Sequence, residues 1–225
     1  MRRPVTARIY SLHLWLSNAY LVEGPDGAAL IDAGMPGEAQ RILRAIERWC
    51  TSRLRWIFIT HAHADHYGSA AALRQATGAM IAVHRLDGPT MAEGGSPLGE
   101  VRGPRRLSAP LLRALIRRLS LDPTPADWLL EDGDSLPGLG LSARIIHTPG
   151  HTPGSACLMI DEQIAFVGDL LTTNGRARLQ RYYAVDWDVL HASLQHLKGM
   201  EARLLYPGHG PRPLDREALA ALEIP

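Results

Sequence analysis

The sequence has few cysteines, and none stands in a metal-binding arrangement. Cys50 and Cys157 are the only two among 225 residues, and they lie far apart along the chain. Cysteine-based zinc sites need close pairs, and small secreted domains need more cysteines for a disulfide framework. We therefore expect a protein of a reducing compartment, with two thiols that have no structural role.

Long apolar runs are also missing. The apolar stretch that follows Arg2 and Arg3, IYSLHLWLSNAYLV, is interrupted by Ser, His and Asn. It lacks the core and the cleavage site of a signal peptide. No run approaches the roughly 20 apolar residues that span a bilayer. We therefore expect a cytoplasmic protein without a membrane span.

An excess of charge of either sign is absent as well. Lys and Arg number 24 against 23 Asp and Glu, and Lys198 is the only lysine. This balance provides no general attraction to nucleic acid or to acidic membranes, so a small-molecule substrate is favoured. A chain of 225 residues with 46% hydrophobic residues is sufficient for one substantial domain. We predict a single domain over residues 1–225.

Strands and helices alternate in the first part of the chain, which is typical of an α/β protein. Hydrophobic patterns predict strands over residues 12–22, 28–32, 55–60 and 80–84, with helices from Pro36 and over residues 68–78. The second half is richer in strands. They are predicted over residues 141–147, 157–160, 164–168 and 203–206, with helices over 189–199 and 214–222 and loops over 148–155 and 207–210.

Residues 94–127 interrupt this order and are predicted to form an insertion. The segment is rich in Gly, Pro and Arg, and its stretch LSAPLLRALIRRLS predicts a basic amphipathic helix. Leu111, Leu112, Leu115 and Leu119 lie on one side of that helix. Three roles stay open: a surface helix docked on the core, a mobile cap over a pocket, and a dimer or membrane contact.

The stretch THAHADHYGSA gathers His61, His63, Asp65 and His66 after a predicted buried strand. Residues two apart on an extended strand point the same way, so His61 and His63 reach one side together. Asp65 and His66 face the same pocket only if the chain turns, and the helical pattern from Tyr67 supplies that turn. Sites in α/β proteins lie at such strand exits, so the pattern predicts metal binding.

Further ligands are expected, because four side chains from one segment rarely close a coordination shell with good geometry. Three later loops offer His151 in TPGHTPG, Asp169 in VGDLL and His209 in YPGHG. Each stands beside a glycine that permits close approach of the backbone. With the first cluster they provide five histidines and two aspartates, which is sufficient for two ions.

The motifs HAHADH, PGHTPGS, GDLL and PGHG, in this order, resemble the metallo-β-lactamase superfamily in its glyoxalase II-like branch. The stretch NAYLVEGPDGAALIDAG resembles the opening hairpin of that family, and the resemblance runs from about Asn18 to Gly210. It implies a four-layer αβ/βα sandwich, with two mixed β-sheets flanked by helices and the site at one edge. It also implies two metal ions, the first held by His61, His63 and His151, the second by Asp65, His66 and His209, with Asp169 bridging them.

Such a site implies a hydrolase. Nitrogen and oxygen ligands suit zinc, which we expect, and also accommodate iron or manganese. The implied nucleophile is a bridging hydroxide, which Asp65 would orient, and the bond is of the small-molecule ester type: thioester, lactone or ester. Glyoxalase II relatives usually add a C-terminal helical region that holds glutathione. The sequence ends soon after His209, so a glutathione thioester is disfavoured.

An oxidoreductase similar to the persulfide dioxygenases is the alternative. Such an enzyme would use one iron, held by His61, His151 and Asp169. Hydrolysis of β-lactams and cleavage of nucleic acid are less favoured, since the balanced charge is not typical of a nuclease.

Several residues around the implied site have both a functional and a structural interpretation. Asp32 is a candidate carboxylate partner for a ligand histidine, or else a turn aspartate. The loop after Asp169 offers Arg176, Tyr182 and Tyr183, which would bind a substrate carboxylate or carbonyl oxygen, or else lie in a solvated loop. A homodimer is possible.

Overall fold

The computed structural model describes residues 7–222. Arg2, Arg3 and the two ends of the predicted 1–225 domain lie outside the described residues. The strands are, in chain order, β1 (Arg8–His13), β2 (Asn18–Glu23), β3 (Ala28–Ile31), β4 (Leu54–Ile59), β5 (Met80–His84), β6 (Glu100–Val101), β7 (Trp128–Leu130), β8 (Ala143–His147), β9 (Ala156–Ile160), β10 (Ile164–Thr172), β11 (Arg178–Leu179), β12 (Tyr183–Ala184), β13 (Leu204–His209) and β14 (Leu214–Asp215). The helices are α1 (Ala39–Trp49), α2 (Ala64–Tyr67), α3 (Ala70–Thr77), α4 (Gly88–Ala92), α5 (Ala109–Arg118), α6 (Trp187–Gly199) and α7 (Arg216–Ala220), with a 3-10 turn at Gly103–Arg106.

These strands form two large mixed sheets. The first has the order β1-β2-β3-β4-β5-β7, antiparallel from β1 to β3 and parallel from β3 to β7. The second has the order β14-β13-β10-β9-β8, and only its β10–β13 pair is parallel. A short ribbon joins β6 to β12 and so connects the 94–127 segment to the loop after β11.

Three apolar cores lie on the faces of the two sheets. In β4, Ile57 and Ile59 point into the core shared with α1 and α3, while Trp56 and Phe58 point into the core between the sheets. This division follows because successive side chains of a strand point to opposite faces. Helix α6 covers the outer face of the second sheet through Leu194 and its neighbours. The predicted four-layer sandwich with two mixed sheets is confirmed.

Some predicted boundaries were wrong. The single strand predicted over residues 12–22 is a hairpin, because the chain turns where Leu14 donates a backbone hydrogen bond to Ser17. The helix predicted from Pro36 begins at Ala39, since Gly37 has a positive φ of 92° that ends the turn before it. The loop predicted at 207–210 is largely strand, because β13 continues to His209.

The 94–127 segment carries β6, the 3-10 turn and α5. Of the four leucines predicted on one side of this helix, Leu112 is half-buried, whereas Leu111, Leu115 and Leu119 are exposed. The prediction that this segment is an insertion with a cap or contact function stays a prediction. Among the helices between residues 7 and 222, none combines the length and the apolarity needed to cross a bilayer.

Candidate metal centre

Strand ends and loops from both sheets meet at one edge of the sandwich. His61, His63, Asp65 and His66 follow β4, and α2 begins between His63 and Asp65 and supplies the predicted turn. His151 lies in the loop between β8 and β9. Asp169 lies in β10, and His209 ends β13 beside it. All seven side chains predicted from the sequence are brought together here, from parts of the chain more than 140 positions apart.

A bulge in β10 directs Asp169 into this edge. The register between β10 and β13 shifts on both sides of Gly168, whose φ is +49°. A Cβ at this glycine would lie 2.7 Å from Oγ1 of Thr60, so only glycine fits there. The bulge at Gly168 therefore sets the direction in which the Asp169 side chain leaves the strand.

The first group of donors consists of three histidines. Nε2 of His61 lies 3.1 Å from Nδ1 of His63, and that nitrogen lies 3.0 Å from Nε2 of His151. All three side chains are buried. Three ring nitrogens this close to one another are a donor arrangement that could hold one metal ion.

The second group consists of Asp65, His66 and His209. Oδ2 of Asp65 lies 3.8 Å from Nε2 of His66 and 3.5 Å from Nε2 of His209. Asp169 lies between the two groups, because its carboxylate is 3.4 Å from Nε2 of His66, 3.2 Å from Nε2 of His209 and 3.5 Å from Nε2 of His151. The carboxylate is therefore within reach of both groups.

The outward nitrogen of three of these rings donates to a backbone carbonyl. Nε2 of His63 donates to Pro97 at 2.7 Å, Nδ1 of His151 to Tyr183 at 2.8 Å, and Nδ1 of His209 to Leu16 at 2.8 Å. A carbonyl oxygen only accepts, so the proton must be on the outward nitrogen. In the neutral ring, the inward nitrogen then carries the lone pair that a metal needs.

Asp32 fixes the remaining two rings. Its carboxylate accepts from Nδ1 of His66 at 2.8 Å, and from the backbone N and Oγ1 of Thr60 at 2.8 and 2.9 Å. Because the Thr60 hydroxyl gives its proton to Asp32, its oxygen accepts from Nδ1 of His61 at 3.0 Å. The buried aspartate thus orients His66 directly and His61 through Thr60, which agrees with the predicted carboxylate partner.

Two inward atoms have no hydrogen-bond partner. Nε2 of His66 and Oδ1 of Asp169 are both buried and unsatisfied among the described residues. Leaving a buried polar atom unpaired costs about 1–3 kcal/mol, so such atoms need an explanation. The donor atoms within each group lie within 4.8 Å of one another, and a divalent ion between them would satisfy both orphans. The residues therefore fit the metal site that the sequence predicts.

The electrostatics differ between the two groups. Burial, followed by the nearby His66 and His63, lowers the pKa of His61 well below its ordinary value. Burial, followed by His63, also lowers the pKa of His151, to about 4. The pKa values of these two rings therefore favour the neutral form, in which imidazole binds metal.

Carboxylates reverse this trend in the second group. Burial alone would lower the pKa of His66, but Asp32, Asp65 and Asp169 outweigh it and raise the pKa well above its ordinary value. Burial is likewise outweighed at His209, where Asp169 raises the pKa to about 9. Conversely, His209 and His66 overcome burial and hold the pKa of Asp169 well below its ordinary value. Without metal, protons therefore occupy this group.

The residues predicted to contact substrate lie in the loop after β10. Arg176 is exposed there. Nη1 of Arg105 donates to the hydroxyl of Tyr183 at 3.1 Å, and its guanidinium lies 5.0 Å from the centre of the Tyr182 ring. The guanidinium of Arg181 also stacks on the Tyr182 ring, 4.7 Å from its centre. The tyrosines thus form a cationic and aromatic cluster, joined to the centre by the backbone of Tyr183.

Sequence reasoning missed two side chains that touch the centre. Thr60 stands directly before the histidine cluster, but a lone threonine at a strand end is too common to be singled out. Nε2 of Gln180 lies 3.4 Å from Oδ2 of Asp169 as a donor. Nothing in the pattern of its exposed loop separates it from its neighbours.

Comparisons with known proteins agree with this geometry. The family model described as the metallo-beta-lactamase superfamily matches residues 14–209. Hydroxyacylglutathione hydrolase GloC of Haemophilus influenzae is 31% identical over 186 residues, which are 81% of this chain and 80% of the relative. The probable metallo-hydrolase YflN of Bacillus subtilis is 27% identical over 222 residues, covering 90% of this chain and 83% of the relative.

Solved structures share the fold. The B3 metallo-beta-lactamase BLEG-1 superposes with a TM-score of 0.72 at 25% identity, covering 94% of this chain and 95% of its own. TTHA1623, solved in a di-iron-bound form, gives a TM-score of 0.68 at 29% identity, covering 95% of this chain and 97% of its own.

Proposed function

The chain belongs to the metallo-beta-lactamase superfamily, and on that premise we propose that it is a hydrolase with two divalent ions that cleaves a small-molecule ester-type bond. One observation carries the proposal. Five imidazoles have their outward nitrogens fixed by hydrogen bonds, while His66 and Asp169 direct unsatisfied buried atoms at the centre. This arrangement directs lone pairs at a position where cations would bind, and without cations the buried atoms of His66 and Asp169 stay unpaired.

The two donor groups would each hold one ion. His61, His63 and His151 would hold the first, and Asp65, His66 and His209 the second, with Asp169 shared between them. Nitrogen and oxygen donors of this kind favour zinc, with iron and manganese as the other candidates. Sulfur is absent from the donor set.

Asp65 is the candidate catalytic residue of the chain itself. Bound divalent ions would lower the pKa of water towards neutrality and polarise a substrate carbonyl. The Asp65 side chain is 22% exposed, whereas those of His66 and Asp169 are nearly fully buried. Among the carboxylates of the two groups, that of Asp65 is thus the one that can meet both substrate and entering water. Its oxygen that is not used as a donor to the ion would orient the attacking water and accept its proton.

Burial also indicates where substrate enters. The three-histidine group is buried, while Asp65 and His209 are half-buried at the outer side. Substrate would therefore approach past Asp65 and His209. The loop that carries Tyr182 and Tyr183 contacts the centre through His151. Those tyrosines, with Arg176, are the candidates for contact with a polar end of the substrate.

The substrate class is a thioester, a lactone or an ester. The relative from Haemophilus influenzae is named a hydroxyacylglutathione hydrolase, and this chain covers 80% of its length. That match supports including a glutathione thioester among the candidate substrates, contrary to our expectation from the sequence alone. Thioesters are therefore the first class to assay.

The test is hydrolysis of a matched panel of an acyl-glutathione thioester, a lactone, an aryl ester and a β-lactam. We expect one of the first three to be cleaved, with activity lost on chelation and restored by zinc or manganese. Asp65→Asn should lower kcat about 10²- to 10⁴-fold with the three-histidine group still loaded. Undiminished hydrolysis by the chelated protein would contradict the proposal.

A further inference from the structure

Asp87 joins the two loops that carry the three-histidine group. Its Oδ2 accepts from the backbone N of Ala62 at 2.7 Å and from Oγ1 of Thr152 at 2.7 Å. Its Oδ1 accepts from the backbone N of Gly154, also at 2.7 Å. Ala62 separates His61 from His63, and Thr152 follows His151. One buried carboxylate therefore holds the backbone on both sides of the group.

The side chain of Asp87 forms these contacts instead of capping helix α4. The residue occupies the N-cap position of α4, where an aspartate side chain ordinarily accepts from the first backbone N–H groups of the helix. Here the side chain makes no cap hydrogen bond, and both oxygens turn away to the two loops. Helix formation alone therefore does not account for its orientation.

The opposite loop is shaped to receive this carboxylate. A Cβ placed on Gly154 would lie 2.6 Å from Oδ1 and 2.6 Å from the backbone N of Asp87, which no side chain tolerates. The hydroxyl of Thr152 also forms a hydrogen bond with Oγ of Ser155, at 2.8 Å, and this second contact fixes its position next to the carboxylate of Asp87. The contact is thus tight on both sides and buried, with Asp87 only 2% exposed.

We propose that Asp87 is a positioning residue that sets the metal affinity of the three-histidine group by locking the loop of His61 and His63 against the loop of His151. This inference rests on the proposed metal-binding function. Asp87 contributes no donor atom to either group and acts only through the backbone and Thr152. Outer partners of metal ligands typically change metal affinity by about 10- to 100-fold.

Asp87→Asn isolates this function. Asn has the same shape but replaces one accepting oxygen with an NH₂ donor. Either Gly154 N–H, or Ala62 N–H together with Thr152, then faces a donor, so at least one loop is released. Glu23→Gln is the matched control. Glu23 is also buried and accepts three hydrogen bonds from Thr51 and Ser52, at the opposite end of β2 from the centre.

The zinc affinity of each donor group is measured separately, by titration against a competing chelator. A His209→Ala background leaves the three-histidine group, and a His151→Ala background leaves the second group. Asp87→Asn should weaken zinc binding about 10- to 100-fold in the first background and leave it unchanged in the second. Glu23→Gln should change neither. Circular dichroism and thermal melting confirm that each variant is folded.

Four outcomes would overturn the inference. Unchanged zinc affinity in both backgrounds would show that the carboxylate does not position the group. An equal loss in both would show general destabilisation. Absence of zinc, iron and manganese binding by the unmodified chain would overturn the proposed function together with this inference. If Asp87→Asn fails to fold, Thr152→Val removes the hydrogen bonds of the Thr152 hydroxyl to Asp87 and Ser155 but leaves those of Asp87 to Ala62 and Gly154. It should cause a smaller loss in the His209→Ala background only, and no loss there would overturn the inference.

Discussion

Asp32→Asn should destabilise the protein severely. Asp32 is 1% exposed and accepts three hydrogen bonds, from the backbone and hydroxyl of Thr60 and from His66. Its φ of +60° is left-handed, a conformation that Asn adopts as readily as Asp. The substitution therefore changes charge and hydrogen bonding without adding backbone strain.

The magnitude follows from the geometry. Asn retains the acceptor for the Thr60 backbone, but its NH₂ group replaces the oxygen that accepts from the Thr60 hydroxyl and from Nδ1 of His66. The 2.8 Å contact with His66 becomes one donor facing another. Breaking a buried ion pair costs about 3–5 kcal/mol, and one hydrogen bond to a charged group about 1.5–3 kcal/mol. We expect a loss of about 3 kcal/mol.

Urea unfolding of the chelated protein, followed by circular dichroism, measures this loss. Asp161→Asn is the control. Asp161 also has a positive φ, 50°, but within residues 7–222 its side chain accepts only an exposed hydrogen bond, from the backbone of Ser142. It should change the free energy of unfolding by less than about 1 kcal/mol. Equal effects of the two substitutions would refute the orienting function of Asp32.

Three further predictions concern charge and metal. Burial would raise the pKa of Glu23, but hydrogen bonds from residues 51–52 outweigh it and lower that pKa from 4.5 to about 2. The ionised carboxylate therefore contributes to the free energy of unfolding above pH 4.5, and this contribution is lost as the pH falls towards 2. In Glu23→Gln the free energy of unfolding should fall less steeply between these pH values, and a pH dependence equal to that of the unmodified protein would contradict this. Asp169→Ala should lower metal content and abolish turnover together, and full activity would show that Asp169 is not shared. Zinc binding at pH 7 should release protons, because the pKa of His209 is about 9 and that of His66 is raised; calorimetry in buffers of different ionisation enthalpy would detect none if this is wrong.

The sequence predicted that these seven side chains would come together, and for the first four the reason is that their motif is local. His61, His63, Asp65 and His66 occupy six consecutive positions, and strand periodicity together with a following helix fixes their directions. The later donors His151, Asp169 and His209 depend on long-range sheet pairing. Residue spacing offered them only as candidates, and the family resemblance assigned them to the two metals.

What the sequence could not show depends on tertiary contacts. Asp87 stands in an ordinary helix-start pattern, and only the fold reveals that its carboxylate turns to Ala62 and Gly154. The hairpin within residues 12–22 was missed because apolar residues continue through its turn. Leu111 and Leu115 were expected on one helical side, yet periodicity alone could not say that this side is exposed.

The central claim is that this chain holds two divalent ions at the edge of its sandwich. Elemental analysis of the purified protein, counting zinc, iron and manganese per chain, tests it most directly. The account predicts two ions per chain, falling to one in His209→Ala. One iron per chain would instead indicate the mononuclear alternative, and a protein that takes up none of these metals would contradict the account.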